Sequence, residues 1–261
     1  MRTTDDDVRA VRIAVVGKGG VGKSVLAGTL ARILARRGAR VLALDSDLMP
    51  GLALSLGVDA GDTAMLTDAA ERDERGRWRL RRGTGPVRAI RRYAMEAPDG
   101  VLLLQCGKVA GDGLPPLMPS INAFYGFVHR LGEPKSLRDW SIVGDLPAGP
   151  RQLAFDWAPY ADTAVVVVEP TSKSALTARR IARIARSRAG VRVVPVANKV
   201  EARGDVARIE RLLGEDVTLA VPADDAVAEA ERLGVPLLDH APDAAAVRAV
   251  AALADRLTLG R

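Results

Sequence analysis

A chain of 261 residues with 48% apolar composition is long enough to bury a substantial core, and its 38 basic and 32 acidic residues give a net charge of +6. No run of 18 apolar residues occurs, and Asp5, Asp6 and Asp7 stand where a secretory leader would be basic and then apolar, so neither a membrane span nor a leader is expected and the expected location is cytoplasmic. Cys106 is the only cysteine, and His129 and His240 are the only histidines, which excludes an internal disulfide and a thiolate zinc site within one chain. Only six of the basic residues are lysine, at 18, 23, 108, 135, 173 and 199. The arginine excess therefore reads as a coding preference on solvated helix faces, and DNA is the less favoured partner.

In chain order, a short apolar strand over residues 11–16 leads into a glycine-rich turn. A helix follows with Leu26, Leu30, Ile33 and Leu34 at helical spacing, running to Arg37 and stopped by Gly38. A second apolar strand covers 39–44. Further strands are predicted at 101–104, 141–143, 163–168, 191–197 and 217–221, with helices at 122–131, 172–187, 206–213, 226–233 and 244–257. Strands that are apolar throughout and alternate with helices indicate an α/β class: one doubly wound domain over residues 1–261, its mostly parallel sheet covered on both faces. Residues 1–10 are expected to form a flexible arm, and the polar stretch 57–86 a surface excursion. Val247, Val250, Leu253 and Leu257 line one side of the last helix, which lacks aromatics and reads as core packing.

Gly17-Lys18-Gly19-Gly20-Val21-Gly22-Lys23-Ser24 fits the phosphate-loop pattern G-x-x-x-x-G-K-[ST], between a strand and a helix whose next residue is Val25. In such a loop backbone N–H groups wrap the phosphates, Lys23 sets a charge on the β- and γ-phosphates and the Ser24 hydroxyl ligates Mg²⁺. The second strand ends on Asp45-Ser46-Asp47, where ligands of open parallel sheets collect, and a carboxylate there can orient a water for attack on phosphorus. Either acid could instead cap the following turn, a reading that suits Ser46 better. Asp145 ends another apolar strand and is followed by the turn Pro147-Ala148-Gly149.

With Lys18 as a second lysine, the string KGGVGKS resembles the deviant Walker A ATPases. That family includes division-site and chromosome-partitioning ATPases, nitrogenase iron protein, the tail-anchored-protein targeting ATPase and metallocentre maturation factors. The resemblance implies a P-loop ATPase working as a homodimer bridged by ATP and Mg²⁺, in which Lys18 reaches the partner's nucleotide and Lys23 serves its own. It also implies that Asp47 positions water and that Asp45 supports the magnesium shell. In the second switch, Asp145 would hold Mg²⁺ through water and the Gly149 backbone would sense the γ-phosphate. Asn198, beside Lys199, would read adenine, and Pro222-Ala223-Asp224 matches the family's base loop. Asn198-Lys199-Val200-Glu201 is also close to the guanine signature N-K-x-D, but Glu is one methylene too long for that contact, which favours ATP.

Glu169-Pro170-Thr171-Ser172-Lys173-Ser174, the segment 145–149, Pro98-Asp99-Gly100, Gly107-Lys108-Val109 and Gly234-Val235-Pro236 resemble the nickel-inserting maturation ATPases of carbon monoxide dehydrogenase. Those factors carry a Cys-x-Cys pair shortly after the segment that here reads Gly111-Asp112-Gly113; this chain has Leu114-Pro115-Pro116, which cannot ligate nickel. Cys106 reads as a small core residue. The function implied is an ATP-driven switch acting on an unidentified client, a metalloenzyme by this resemblance. The alternative is a positioning ATPase whose ATP dimer binds DNA or membrane, and Arg179, Arg183 and Arg186 form a basic stripe that reads first as a solvated helix face.

Overall fold

The computed structural model describes residues 9–48, 51–59, 66–107 and 117–259, and of Thr67 and Leu117 the backbone alone. Most of the expected arm (1–8), Lys108, Val109 and the whole of 111–116, including Leu114-Pro115-Pro116, lie outside the described residues.

The elements follow as β1 (Arg12–Gly17), α1 (Lys23–Arg36), β2 (Arg40–Asp45), α2 (Gly51–Leu56), β3 (Ala70–Arg72), β4 (Trp78–Leu80), α3 (Pro86–Tyr93), β5 (Met95–Glu96), β6 (Leu102–Gln105) and α4 (Leu117–Val128). The second half adds β7 (Trp140–Asp145), α5 (Arg151–Ala154), β8 (Thr163–Val168), α6 (Ser172–Arg186), β9 (Arg192–Val200), α7 (Arg203–Leu213), β10 (Leu219–Pro222), α8 (Asp225–Leu233), α9 (Leu237–His240) and α10 (Ala245–Leu259). Among the described residues eight strands form one sheet in the order β10-β9-β8-β1-β7-β2-β6-β5. All pair in parallel except β5, which runs antiparallel on the β6 edge.

The sheet is buried on both sides because the central positions of its parallel strands are apolar on both faces, with polar residues confined largely to the strand ends. In β1, Ile13 and Val15 enter the core beneath α1, α2, α8, α9 and α10, while Ala14 and Val16 enter the other, beneath α3, α4, α6 and α7. The order reverses about β1, whose neighbours are β7 and β8, so the crevice at the carboxyl ends of these strands is the natural ligand position.

Three expectations need correction. The polar stretch 57–86 is not a bare excursion: it contains the antiparallel hairpin β3–β4, with Ala70 paired to Leu80 and both buried against Phe124 and Phe127. Strands of three residues are too short for an alternation signal, and the arginines between them hid the apolar pair. The helix expected at 122–131 spans Leu117–Val128, with Pro119 in its first turn, where no N–H is needed. The arginine excess lies on helix faces only in part: α6 carries four arginines and a lysine with no acid, but a second concentration falls on and around the hairpin. Residues 71–92 hold nine arginines against three acids, an excess equal to the net charge of the whole chain, and eight of the nine are exposed on the hairpin, the turn after it and α3.

Candidate functional site

The loop from Gly17 to Gly22 leaves β1 and opens α1. Gly20 and Gly22 have φ of 75° and 89°, a left-handed backbone that glycine adopts without strain. Gly22 must also lack a side chain because a Cβ there would lie 2.5 Å from the Asn198 amide nitrogen. The loop is braced from the end of β9: Asn198 Nδ2 donates to the Val21 carbonyl at 2.8 Å, and Lys199 Nζ donates to the Gly20 carbonyl at 2.8 Å. Lys199 itself takes φ of 57°, a position that costs a non-glycine residue something. Lys23 is buried at the start of α1 and its Nζ donates to the Lys18 carbonyl at 3.3 Å, curling the loop over its own ammonium.

Ser24, Asp145 and Asp45 meet at the foot of the loop. Ser24 Oγ donates to Asp145 Oδ2 at 2.5 Å. Asp45 is the in-register partner of Asp145 across β2–β7, and its Oδ1 accepts from the Asp47 backbone at 3.1 Å. Both acids are buried, and Asp45 Oδ2 and Asp145 Oδ1 have no partner. Burial, with the adjacent Asp145 carboxylate, holds the Asp45 carboxyl well above the usual range. Asp145 is pushed up to about 6, chiefly by burial, with the Ser24 hydroxyl and the Lys23 charge opposing. Orphaned, mutually repelling carboxylate oxygens beside a serine hydroxyl fit a hard cation such as Mg²⁺. Among the described residues no three His, Cys, Asp or Glu side chains converge as a ready metal cage, so phosphate and water oxygens would complete the shell.

Asp47 follows on the part-exposed rim, its Oδ1 accepting from the Leu48 backbone at 2.8 Å. Gly149 adopts φ of 89°, and its N–H donates to the Gly17 carbonyl at 2.9 Å, so contact between that N–H and a phosphate requires this bond to open. Lys18 extends the other way: its Nζ lies 3.0 Å from Glu169 Oε1 at the end of β8, within the same chain. Asp224 caps α8 through Ala226 N and also accepts from Ala246 N, so both carboxylate oxygens are engaged, while Pro222 and Ala223 wall a cavity of about 710 Å³. The same cavity reaches Gly22, Lys23, Ser24 and Asn198, joining the phosphate loop to the expected base pocket.

Outside this constellation, Cys106 is buried and its thiol is pushed up to about 12 by burial and by Asp45 and Asp47, which keeps it protonated. Arg179, Arg183 and Arg186 are exposed on α6, with Arg186 paired to Glu215. One residue absent from the sequence reading belongs here: Gln105 at the end of β6, buried, in register with Asp45, its Oε1 unpartnered. A polar residue closing an apolar strand was the available signal, the same one that marked Asp45 and Asp145.

Known proteins agree with this geometry. The family model described as CobQ/CobB/MinD/ParA nucleotide binding domain matches residues 13–237. The carbon monoxide dehydrogenase accessory protein CooC of Rhodospirillum rubrum is 29% identical over 242 residues, covering 89% of this chain and 91% of its own. An uncharacterised ATP-binding protein of Methanocaldococcus jannaschii is 29% identical, covering 87% and 91%. The cell division ATPase MinD of Pyrococcus furiosus superposes with a TM-score of 0.70 at 23% identity, over 94% of this chain and 97% of that one, a likeness of fold. The chain belongs to the CobQ/CobB/MinD/ParA nucleotide binding domain family and, with it, to the P-loop ATPases.

Proposed function

We propose that the protein is a Mg²⁺-dependent, ATP-hydrolysing homodimeric switch that acts on a client metalloenzyme. The observation that carries this reading is the pair of buried, orphaned carboxylate oxygens of Asp45 and Asp145 beside Ser24, at the foot of a loop that takes left-handed backbone at Gly20 and Gly22. Lys23 pairs with the β- and γ-phosphates of its own nucleotide. Ser24 offers the direct protein oxygen to Mg²⁺, and Asp45 and Asp145 hold its waters. Bound Mg²⁺ offsets the charge on the phosphate oxygens during transfer. Asp47 orients the attacking water from the rim. Lys18 acts on the partner's nucleotide, which requires it to leave Glu169, and because that pair is part-exposed the release costs about 1 kcal/mol or less.

Adenine lies along the cavity wall of Pro222 and Ala223, read by Asn198 and by backbone groups. The client assignment is supported by the similarity to the Rhodospirillum rubrum accessory protein over nearly its whole length. Carrying nickel on a thiolate pair is not part of the proposal, since Leu114-Pro115-Pro116 supplies no sulfur and Cys106 is a buried thiol.

The test is Asp47→Ala. It retains nucleotide and Mg²⁺, loses roughly two to four decades in hydrolysis rate, and accumulates as a dimer on size exclusion with ATP. Hydrolysis at the wild-type rate, or a monomer under saturating ATP where wild type dimerises, overturns the assignment.

One observation favours the positioning reading over the client reading: the basic hairpin and α3, where residues 71–92 hold nine arginines against three acids with no large exposed apolar side chain among them. Polyphosphate surfaces are bound this way, with affinity that falls steeply in salt. Retention of duplex DNA in a gel only when ATP is present, lost on Arg88→Glu with Arg91→Glu, would decide for it; no retention at low salt would decide against.

A further inference from the structure

We infer that Gln105 is a positioning residue of the nucleotide site, its side-chain oxygen holding a water of the magnesium shell beside Asp45. This rests on the reading of the Ser24–Asp45–Asp145 cluster as a Mg²⁺–nucleotide site and extends it by one strand.

Three adjacent strands β6, β2 and β7 end at the same level, with Gln105 opposite Asp45 and Asp45 opposite Asp145. Parallel strands in register place these three side chains on one face. It is the face of α1, since Leu103, Ala43 and Val143, two residues earlier in each strand, all lie in the core beneath that helix. The row continues three apolar columns, yet every member is polar. Gln105, Asp45 and Asp145 are 5%, 1% and 2% exposed, and each leaves one oxygen without a partner.

A leucine at 105 would continue the pattern of Leu103 and leave nothing unsatisfied. A buried, unpaired amide oxygen instead costs the empty protein free energy that only a bound donor returns. The donor is water, and the spacing explains why. Neighbouring strands lie about 4.8 Å apart, so Gln105 stands two strands, or about 10 Å, from the strand that carries Asp145, too far to share a directly bound cation. Magnesium keeps several of its waters, and these extend its reach toward β6. The amide also suits a row that already holds two carboxylates: it accepts a hydrogen bond without adding a third negative charge to a buried cluster.

The experiment compares wild type, Gln105→Leu and Gln105→Glu in two readouts: the melting temperature of the nucleotide-free protein, and Mg²⁺ affinity of the ADP-bound protein by calorimetry. Gln105→Leu is expected to melt at or above the wild-type temperature while binding Mg²⁺ about tenfold more weakly, the worth of one hydrogen bond. Gln105→Glu, which keeps an oxygen at that place, is expected to bind Mg²⁺ within about threefold of wild type or more tightly. If Gln105→Leu binds Mg²⁺ as wild type does, or melts lower with Mg²⁺ affinity unchanged, Gln105 is structural and the inference falls while the site reading stands. If wild-type ADP binding shows no dependence on Mg²⁺, the site reading falls and takes the inference with it.

Discussion

Helix α1 carries a polar cluster at each end, and the two are built on opposite principles. Toward its C-terminus Arg32 is 2% exposed and fully satisfied: Nε donates to Asp99 at 2.7 Å, and the two terminal nitrogens fork onto Asp239 at 2.6 and 2.8 Å. Arg36 adds the second cation, 3.1 Å from Asp99 and 3.6 Å from Asp239, so charges balance, each Arg32 nitrogen is paired, and the cluster ties α1 to α9 and to the turn at 98–100. At the N-terminus, Asp45, Gln105 and Asp145 face the loop with three oxygens unpaired and like charges adjacent. The first cluster is closed and stabilises the fold; the second is open, and in the proposed function it is completed by what binds there. Burial alone does not separate structural from functional polar groups. Satisfaction does.

The largest expected effect falls on the open end. Lys23→Ala should weaken ATP binding by about 100-fold or more, since it removes a buried charge paired with phosphate. Lys18→Ala should leave monomer affinity within about threefold and abolish nucleotide-dependent dimerisation and turnover. Calorimetry with light scattering separates these, and an equal loss of affinity in both variants would contradict the cis and trans roles.

Next comes pH. Asp145 titrates at about 6, above the ordinary carboxylate value near 3.8, and Asp45 shifts in the same direction. At these two sites the native state therefore binds more protons than the unfolded chain, and their contribution to the stability of the nucleotide-free protein should fall as pH rises from about 4 through 6, while Asp239 and Asp205, held below the usual range, act in the opposite sense. Asp145→Asn should flatten that fall, gaining on the order of 1–3 kcal/mol at pH 7.5 and nothing near pH 4, as read from urea midpoints. A difference between wild type and Asp145→Asn that stays constant over this window would show that Asp145 is not a buried, charged group.

At the closed end Asp239→Ala should cost about 2–3 kcal/mol, below the range for fully enclosed pairs because Asp239 is itself part-exposed. Nucleotide affinity should not change, and a coupled loss would mean the two ends of α1 are not independent. The smallest effect is expected at Glu169. Glu169→Ala frees Lys18 and should tighten the ATP-bound dimer about two- to fivefold, measured by light scattering across a dilution series.

The open end was largely readable from sequence and the closed end was not. Gly17 to Ser24 is a contiguous string whose chemistry follows from residue type and spacing, and Asp45 and Asp145 announce themselves as acids closing apolar strands. Arg32 sits beside Ile33 and Leu34 and reads as solvated, because its partners Asp99 and Asp239 are 67 and 207 residues away and no local pattern links them. Gln105 carried the strand-end signal but no motif drew attention to it. The backbone engagements of Asn198, Lys199 and Gly149 with the loop are likewise tertiary facts. The hairpin β3–β4 was hidden by its brevity, and its charge shows only when the chain is counted segment by segment.

The most direct measurement of the central claim, that the open row is completed by a Mg²⁺-bound nucleotide, is calorimetric titration of ATP into the Asp47→Ala chain at pH 7.5, with and without Mg²⁺. That variant is chosen so that hydrolysis does not contribute heat. The account predicts one nucleotide per chain and at least about tenfold tighter binding with Mg²⁺, because the orphaned oxygens of Asp45 and Asp145 gain their partner only then. Affinity indifferent to Mg²⁺, or no binding heat at all, would contradict it.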